Sequence, residues 1–195
     1  TVVAVRGSSY RRPGARMLVT SEGWRAGSIS GGCLEADITR KATYFASSDR
    51  PLLRTYDTSE DGDARLGCGG EVDVLLEPLT SLTLIDLLAN VTESRHTLEM
   101  RTILENRIGE REVRMGGRVL YSTVSDASES LRCFKEELRP SPKLVIIGCG
   151  HDALPVARFA DEMGWSIDVY DFRGALVMPE RFPMARVSMA SASAL

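Results

Sequence analysis

No apolar run in this chain approaches the roughly 20 residues that a membrane-spanning helix needs, and no secretory signal stands at its start. Cysteine is scarce. Cys33, Cys68, Cys133 and Cys149 contain no CxxC spacing, and only His96 and His151 could assist them. That pattern argues against a structural zinc site. It also argues against a secreted disulfide scaffold, since a chain of 195 residues builds a core without staples. A basic excess is lacking too: the net charge of -3 and a pI near 5.5 supply no positive field for nucleic acid. What remains is ordinary globular composition, 43% hydrophobic and 26% charged, of a length for one medium domain or two small ones. The resulting expectation is a cytoplasmic protein with reduced thiols. The chain begins at Thr1 rather than Met, so further N-terminal sequence is expected in the natural protein.

Three short apolar runs come first, Thr1–Val5, Arg16–Thr20 and Trp24–Ser30, each flanked by Gly, Ser or Pro as strands between turns are. Cys33 to Ala46 carries Leu34, Ile38, Ala42 and Phe45 at helical spacing. Leu52–Tyr56 and Val72–Leu76 read as strands separated by an acidic, glycine-rich loop, Asp57 to Gly70. Leu82–Asn90 reads as a helix, residues 97–123 as two or three strands with turns, and Ser125–Arg139 as a weakly patterned helix. Ser141-Pro142 then punctuates the chain, which places a boundary near residue 140. The expected organisation is therefore an N-terminal mixed α/β domain over residues 1–140, followed by an incomplete Rossmann-like parallel-sheet domain over 141–195.

The second segment carries the clearer local signal. Leu144–Ile147 is a continuous apolar run, as expected of a strand buried on both faces. It leads into Gly148-Cys149-Gly150 and a helix over Ala153–Met163, with Ala153 in the third small position of a G-x-G-x-x-A pattern. The first glycine permits a tight turn, the second lets backbone approach a pyrophosphate, and the alanine allows close helix–strand packing. The free N–H groups at such a helix start favour an anion. Asp171 ends the next strand, Ser166–Tyr170, where an acid can accept a ribose hydroxyl. The pattern points to NAD(P) or another nucleotide; the plainer reading is that the glycines serve only the turn. His151 follows the loop, and a lone histidine there is more often structural or a phosphate contact than a general acid or base. Residues 143–195 hold one βαβ element and little more, so the rest of the sheet is expected elsewhere in the natural protein.

Three features mark the first segment. Arg6 to Arg16 holds four arginines, two serines and two glycines, with Arg11, Arg12 and Arg16 among them, in a chain that is acidic overall. Guanidinium forks match phosphate in geometry and charge, although such a cluster reads equally well as a solvated turn. Next comes Gly27-Ser28-Ile29-Ser30-Gly31-Gly32-Cys33, where a helix beginning at or near Cys33 would make Ser30, Gly31 and Gly32 an anion cradle. Cys33 is either a thiol with more thiolate character at a helix N-terminus or a small buried apolar residue. Third is Gly67-Cys68-Gly69-Gly70, a loop that permits close backbone approach or is simply a tight turn.

Four stretches in register, GSSYRRPGARMLV, GSISGGCLE, GCGGEVDVLLEPL and LVIIGCGHDALPVARFA, resemble the successive motifs of the XdhC/CoxI family, and ERFP at Glu180–Pro183 resembles a segment after the second Rossmann strand. Tyr10 stands where that pattern would have Pro. The resemblance implies an accessory protein rather than an enzyme. It would bind the molybdenum–pterin cofactor, assist its sulfuration, with a cysteine desulfurase as a candidate partner, and hand it to a molybdenum hydroxylase client. Homo-oligomerisation is compatible with that role. In this picture Arg11, Arg12 and Arg16 meet the cofactor phosphate. Cys33 and Cys68, with Gly69 and Gly70, share one site as transient rather than permanent molybdenum ligands, because tight soft ligation would oppose handover. The rival readings are an NAD(P)-dependent oxidoreductase and a nucleotide-sensing scaffold.

Overall fold

The computed structural model describes residues 1–45, 50–58, 69–125 and 131–190. The chain forms two compact units. One joins Thr1–Leu88 to Thr97–Leu138, and the other joins Ala89–His96 to Arg139–Leu195.

In the first unit, β1 (Val2–Gly7), β4 (Leu52–Asp57) and β5 (Gly70–Leu76) form an antiparallel sheet in the order β1–β5–β4. Alternation along β5 sends Val72 and Val74 to one face, where they meet Ile29, Leu34 and Ile38 around helix α1 (Glu35–Phe45). Leu75, with Val3, packs on the other side against Leu104, Ile108 and Phe134. A separate hairpin, β2 (Met17–Thr20) with β3 (Gly23–Gly27), lends Met17 to the first cluster. Helix α2 (Leu82–Ala89) ends this stretch, and the short turn of helix that follows it, α3 (Val91–Ser94), belongs to the second unit. A four-stranded antiparallel sheet follows, of β6 (Leu98–Ile103), β7 (Arg111–Met115), β8 (Arg118–Ser122) and β9 (Cys133–Leu138), in the order β8–β7–β6–β9.

The helix expected over Ser125–Arg139 is a correction. Residues 126–130 lie outside those described, and Cys133–Leu138 is strand β9, paired residue by residue with β6 from Ile103↔Cys133 to Leu98↔Leu138. Pairing with a distant strand outweighs a weak local helical pattern, which no neighbouring apolar stripe reinforces.

In the second unit, β10 (Lys143–Ile147), β11 (Ser166–Asp171) and β12 (Arg186–Met189) form a parallel sheet, with helix α4 (Ala153–Glu162) crossing from β10 to β11. Two 3-10 turns, Gly174–Leu176 and Pro179–Arg181, connect β11 to β12. Ala153, Ala157 and Ala160 turn inward from α4 and let it settle closely on Leu144, Ile146, Ile167 and Val169. Burial of β10 on both faces, expected from its apolar run, does not hold. Leu144 and Ile146 pack inward, whereas Val145 and Ile147 are exposed, because α4 covers one side of the strand only.

The first unit is cross-linked by one carboxylate. Asp73 on β5 is only 1% exposed. It accepts hydrogen bonds from Arg6 of β1 (3.0 Å to each oxygen), Thr55 Oγ1 of β4 (2.7 Å) and Arg132 just before β9 (2.5 Å). The bonds from Arg6, outweighing the burial that opposes them, hold the Asp73 carboxyl well below the usual carboxylate range. Asp73→Asn keeps the shape and removes the charge. Since both arginines reach solvent, the expected loss is moderate, about 2 kcal/mol in urea denaturation. A loss below about 0.5 kcal/mol, the range of an ordinary surface change, would show that the network is not a structural tie.

Candidate functional site

The three glycine-rich loops of the first unit meet at one end of the β1–β5 pair. Gly7 and Gly70 face each other across the ladder. A Cβ on Gly7 would lie 2.9 Å from the Gly69 carbonyl, and one on Gly70 would lie 2.8 Å from the Arg6 carbonyl and 2.8 Å from Ser8 N. Only glycine lets the two backbones approach so closely. Buried Thr58 locks the same corner, its Oγ1 donating to the Gly70 carbonyl at 2.6 Å while its N–H donates to that carbonyl at 2.8 Å. The loop after β1 also reaches the loop before α1, where a Cβ on Gly31 would touch the Tyr10 ring at 3.4 Å.

Cations gather at this edge unevenly. Arg11 and Arg12 are exposed and have no ion-pair partner among the described residues; the Arg11 guanidinium stands 5.7 Å from the centre of the Tyr10 ring. Arg16, expected to be the third phosphate ligand, is otherwise engaged. It pairs with Glu136 of β9 at 2.5 Å and donates to the Gly14 carbonyl at 3.1 Å. The sequence missed this partner because Glu136 is 120 positions away.

The loop before α1 is closed by its own side chains. Ser30 Oγ accepts the N–H groups of Gly32 (3.3 Å), Cys33 (3.1 Å) and Leu34 (3.0 Å), and it donates to Glu35 Oε2. Glu35 Oε1 accepts from Ser28 Oγ (2.8 Å), Ser30 N (2.8 Å) and Ile29 N (3.2 Å). The helix thus starts at Glu35, two residues after Cys33, and the N–H groups of the expected anion cradle are already satisfied by a serine hydroxyl in the loop ahead of it. Burial raises the Glu35 pKa, but the bonds from Ser30 and Ser28 outweigh it and hold the group at about 2. Cys33 lies just outside the helix with an exposed thiol, which rules out the buried apolar reading. Cys68 lies outside the described residues, and with it the expected sharing of one site by Cys33 and Cys68.

In the second unit the glycine loop sits at the carboxyl ends of β10 and β11. Gly148 adopts φ +116°, a conformation that favours glycine, and its N–H donates to the Tyr170 carbonyl at 2.7 Å. Asp171 does not offer free lone pairs to a ribose. It is 1% exposed and accepts Cys149 N (2.7 Å), Arg173 N (2.8 Å), Arg173 Nε (3.0 Å) and Arg173 Nη2 (3.0 Å). The Arg173 bonds, then the backbone N–H groups, hold its carboxyl far below the usual range. Arg181 donates to the Cys149 carbonyl at 3.0 Å. Burial and the Asp171 charge push the Cys149 thiol up, which keeps it protonated and unreactive. His151 and Asp152 are exposed, and the Asp152 carboxylate lies against Gly150 on the side a Cβ would occupy. Arg173 and Arg181 were given no role from the sequence, although Arg173 stands two residues after Asp171 and Arg181 lies within ERFP.

The comparisons with known proteins bear on the resemblance that the motifs suggest. Residues 1–57 match the model of the XdhC and CoxI family. That is the part of the chain on which the family model rests. Over 95% of its length the chain is 27% identical to a protein of Bacillus subtilis (strain 168) named as a probable xanthine dehydrogenase subunit, and it covers 62% of that protein. Over 88% of its length it is 28% identical to the "Molybdenum cofactor insertion chaperone PaoD" of Escherichia coli (strain K12), covering 51% of it. A crystal structure described as a xanthine dehydrogenase (BH1974) from Bacillus halodurans superposes with a TM-score of 0.80 at 28% identity, over 97% of this chain and 62% of that one. The chain thus spans between half and two thirds of the relatives it matches.

Two measurements test the loop before α1. Ser30→Ala removes the acceptor of three loop N–H groups and is expected to cost about 1 kcal/mol. Glu35 has a folded pKa depressed from 4.5 to about 2, so its contribution is complete above pH 4.5 and is lost as pH falls towards 2. Urea midpoints of the unaltered chain should therefore fall more steeply across that window than those of Glu35→Gln. Parallel curves would remove Glu35 from the account.

Proposed function

We propose that this chain is an accessory protein that receives a molybdenum–pterin cofactor, assists its sulfuration and delivers it to a molybdenum hydroxylase of the xanthine dehydrogenase kind. The observation that carries this reading is the meeting of three glycine-rich loops beside two arginines, Arg11 and Arg12, without ion-pair partners among the described residues. The likeness to a relative named as a molybdenum cofactor insertion chaperone supports it.

The cofactor is cargo, and the edge suits it. Its phosphate needs cations that are not already neutralised, which Arg11 and Arg12 supply. Its ring system needs backbone without side chains in the way, which Gly32 and Gly69 supply, since a Cβ on either would meet open space. The exposed thiol of Cys33 shields the sulfur-bearing metal or ligates it in passing, and a cysteine desulfurase is the matching sulfur source. In the second unit the Gly148–Gly150 loop takes the phosphates of a nucleotide beside His151. A ligand there must swing the Asp152 side chain, which makes no cap hydrogen bond to the helix, away from Gly150.

Cofactor-free molybdenum hydroxylase reconstituted with and without the protein tests the whole role: loading should rise when the protein is present, and equal loading would refute it. Arg11→Ala with Arg12→Ala tests the site. Each lost phosphate contact should cost on the order of 1.5–3 kcal/mol of cofactor affinity, roughly 10- to 150-fold. Stability should stay within about 0.5 kcal/mol, because both side chains stand in solvent. Undiminished affinity would move the phosphate elsewhere.

A further inference from the structure

We propose that the nucleotide bound at the Gly148–Gly150 loop carries a phosphate on the 2′ oxygen of its adenosine ribose, and that Arg173 reads that phosphate. This inference rests on the reading of that loop as a nucleotide site.

In an open parallel sheet, ligands bind beyond the carboxyl ends of the strands. The residue that ends the second strand decides what meets the ribose: a carboxylate with free oxygens takes the hydroxyls of an unphosphorylated nucleotide, whereas a nearby arginine takes a 2′-phosphate. Asp171 occupies that position but has nothing left to offer. A carboxylate has about four lone-pair sites, and Asp171 has four donors. Oδ1 accepts Arg173 N and Nε, and Oδ2 accepts Cys149 N and Arg173 Nη2. Its side chain is fully buried, whereas that of Arg173 is 52% exposed. A ribose arriving beside the glycine loop therefore meets a guanidinium, not a carboxylate.

That guanidinium is also prepared for the task. Nε and Nη2 are anchored on Asp171, so the plane is fixed, while Nη1 makes no hydrogen bond among the described residues and remains for a ligand. The exposed Phe172 ring lies 5.3 Å from it and narrows its freedom further. An arginine pre-organised in this way loses little entropy when it takes a phosphate oxygen. Arg181, held on the Cys149 carbonyl, adds a second cation beside the loop. Asp152 is the opposing charge; it lies by Gly150, on the pyrophosphate side rather than beside Arg173 in the chain, so it weakens any nucleotide without selecting between two of them.

Calorimetric titration of the purified protein with NADP and with NAD tests the proposal. NADP should bind at least 10-fold more tightly. Arg173→Ala should abolish most of that ratio, Arg173→Lys should retain part of it, and Asp152→Asn should tighten both nucleotides alike. Thermal melts of each variant confirm that the fold survives the loss of the Asp171 partner, and the lysine variant carries the test if the alanine variant does not fold. Equal affinities, or tighter binding of NAD, would overturn the proposal while leaving the loop a nucleotide site. Failure of both nucleotides to bind would overturn the nucleotide reading itself and this inference with it.

Discussion

The first unit depends on the carboxylate of Asp73. It stands on the central strand of the β1–β5–β4 sheet and is reached by a guanidinium from one flanking strand, a hydroxyl from the other and a second guanidinium from the approach to β9. A buried carboxylate with those partners missing would be costly, so the network reinforces the observed register of the three strands. That register brings Gly7 opposite Gly70, and their closeness brings two of the three motif loops together. The proposed cofactor edge is thus a consequence of how a buried charge is satisfied several residues away.

Both units use the same device at their glycine loops. In the first, Glu35 gathers the N–H groups of Ile29 and Ser30. In the second, Asp171 gathers those of Cys149 and Arg173. A loop rich in glycine has the most conformational entropy to lose on folding. An acid that accepts two or three backbone N–H groups offsets that loss and holds the loop in one shape before any ligand arrives. The consequence is that the donors a bare glycine loop would show to an anion are partly taken by the protein itself. Recognition of an anion then falls to the remaining guanidinium groups: Arg11 and Arg12 in one unit, Arg173 in the other.

Much of the fold was legible in the sequence because its signals are local. Gly, Ser and Pro bracket the short apolar runs of β1 to β5, and the 3.6-residue spacing of Leu34 and Ile38 marks α1. The strand, glycine loop, helix and strand of residues 143–171 occur in the expected order, with Ala153 packed against the sheet. Strand β9 was misread because its identity comes from β6, some thirty residues earlier, and a short segment with mixed charge carries little pattern of its own. The exposure of Val145 and Ile147 was misread because an apolar run does not say how many of its faces are covered.

The sequence by itself determined which residue types stand beside each glycine loop, the order of the motifs and the family model that the first 57 residues match, since these depend on neighbours along the chain. Only the tertiary structure decided which of those residues remain available to a ligand. Arg16 and Arg11 look alike in sequence, yet one is spent on Glu136 and the other is not. Asp171 looks like a ribose acceptor, yet its lone pairs are filled by an arginine two residues on. The reason is that hydrogen-bonding capacity is finite and is allotted by partners in space. A motif names a donor or an acceptor, and the fold determines whether that group is already satisfied.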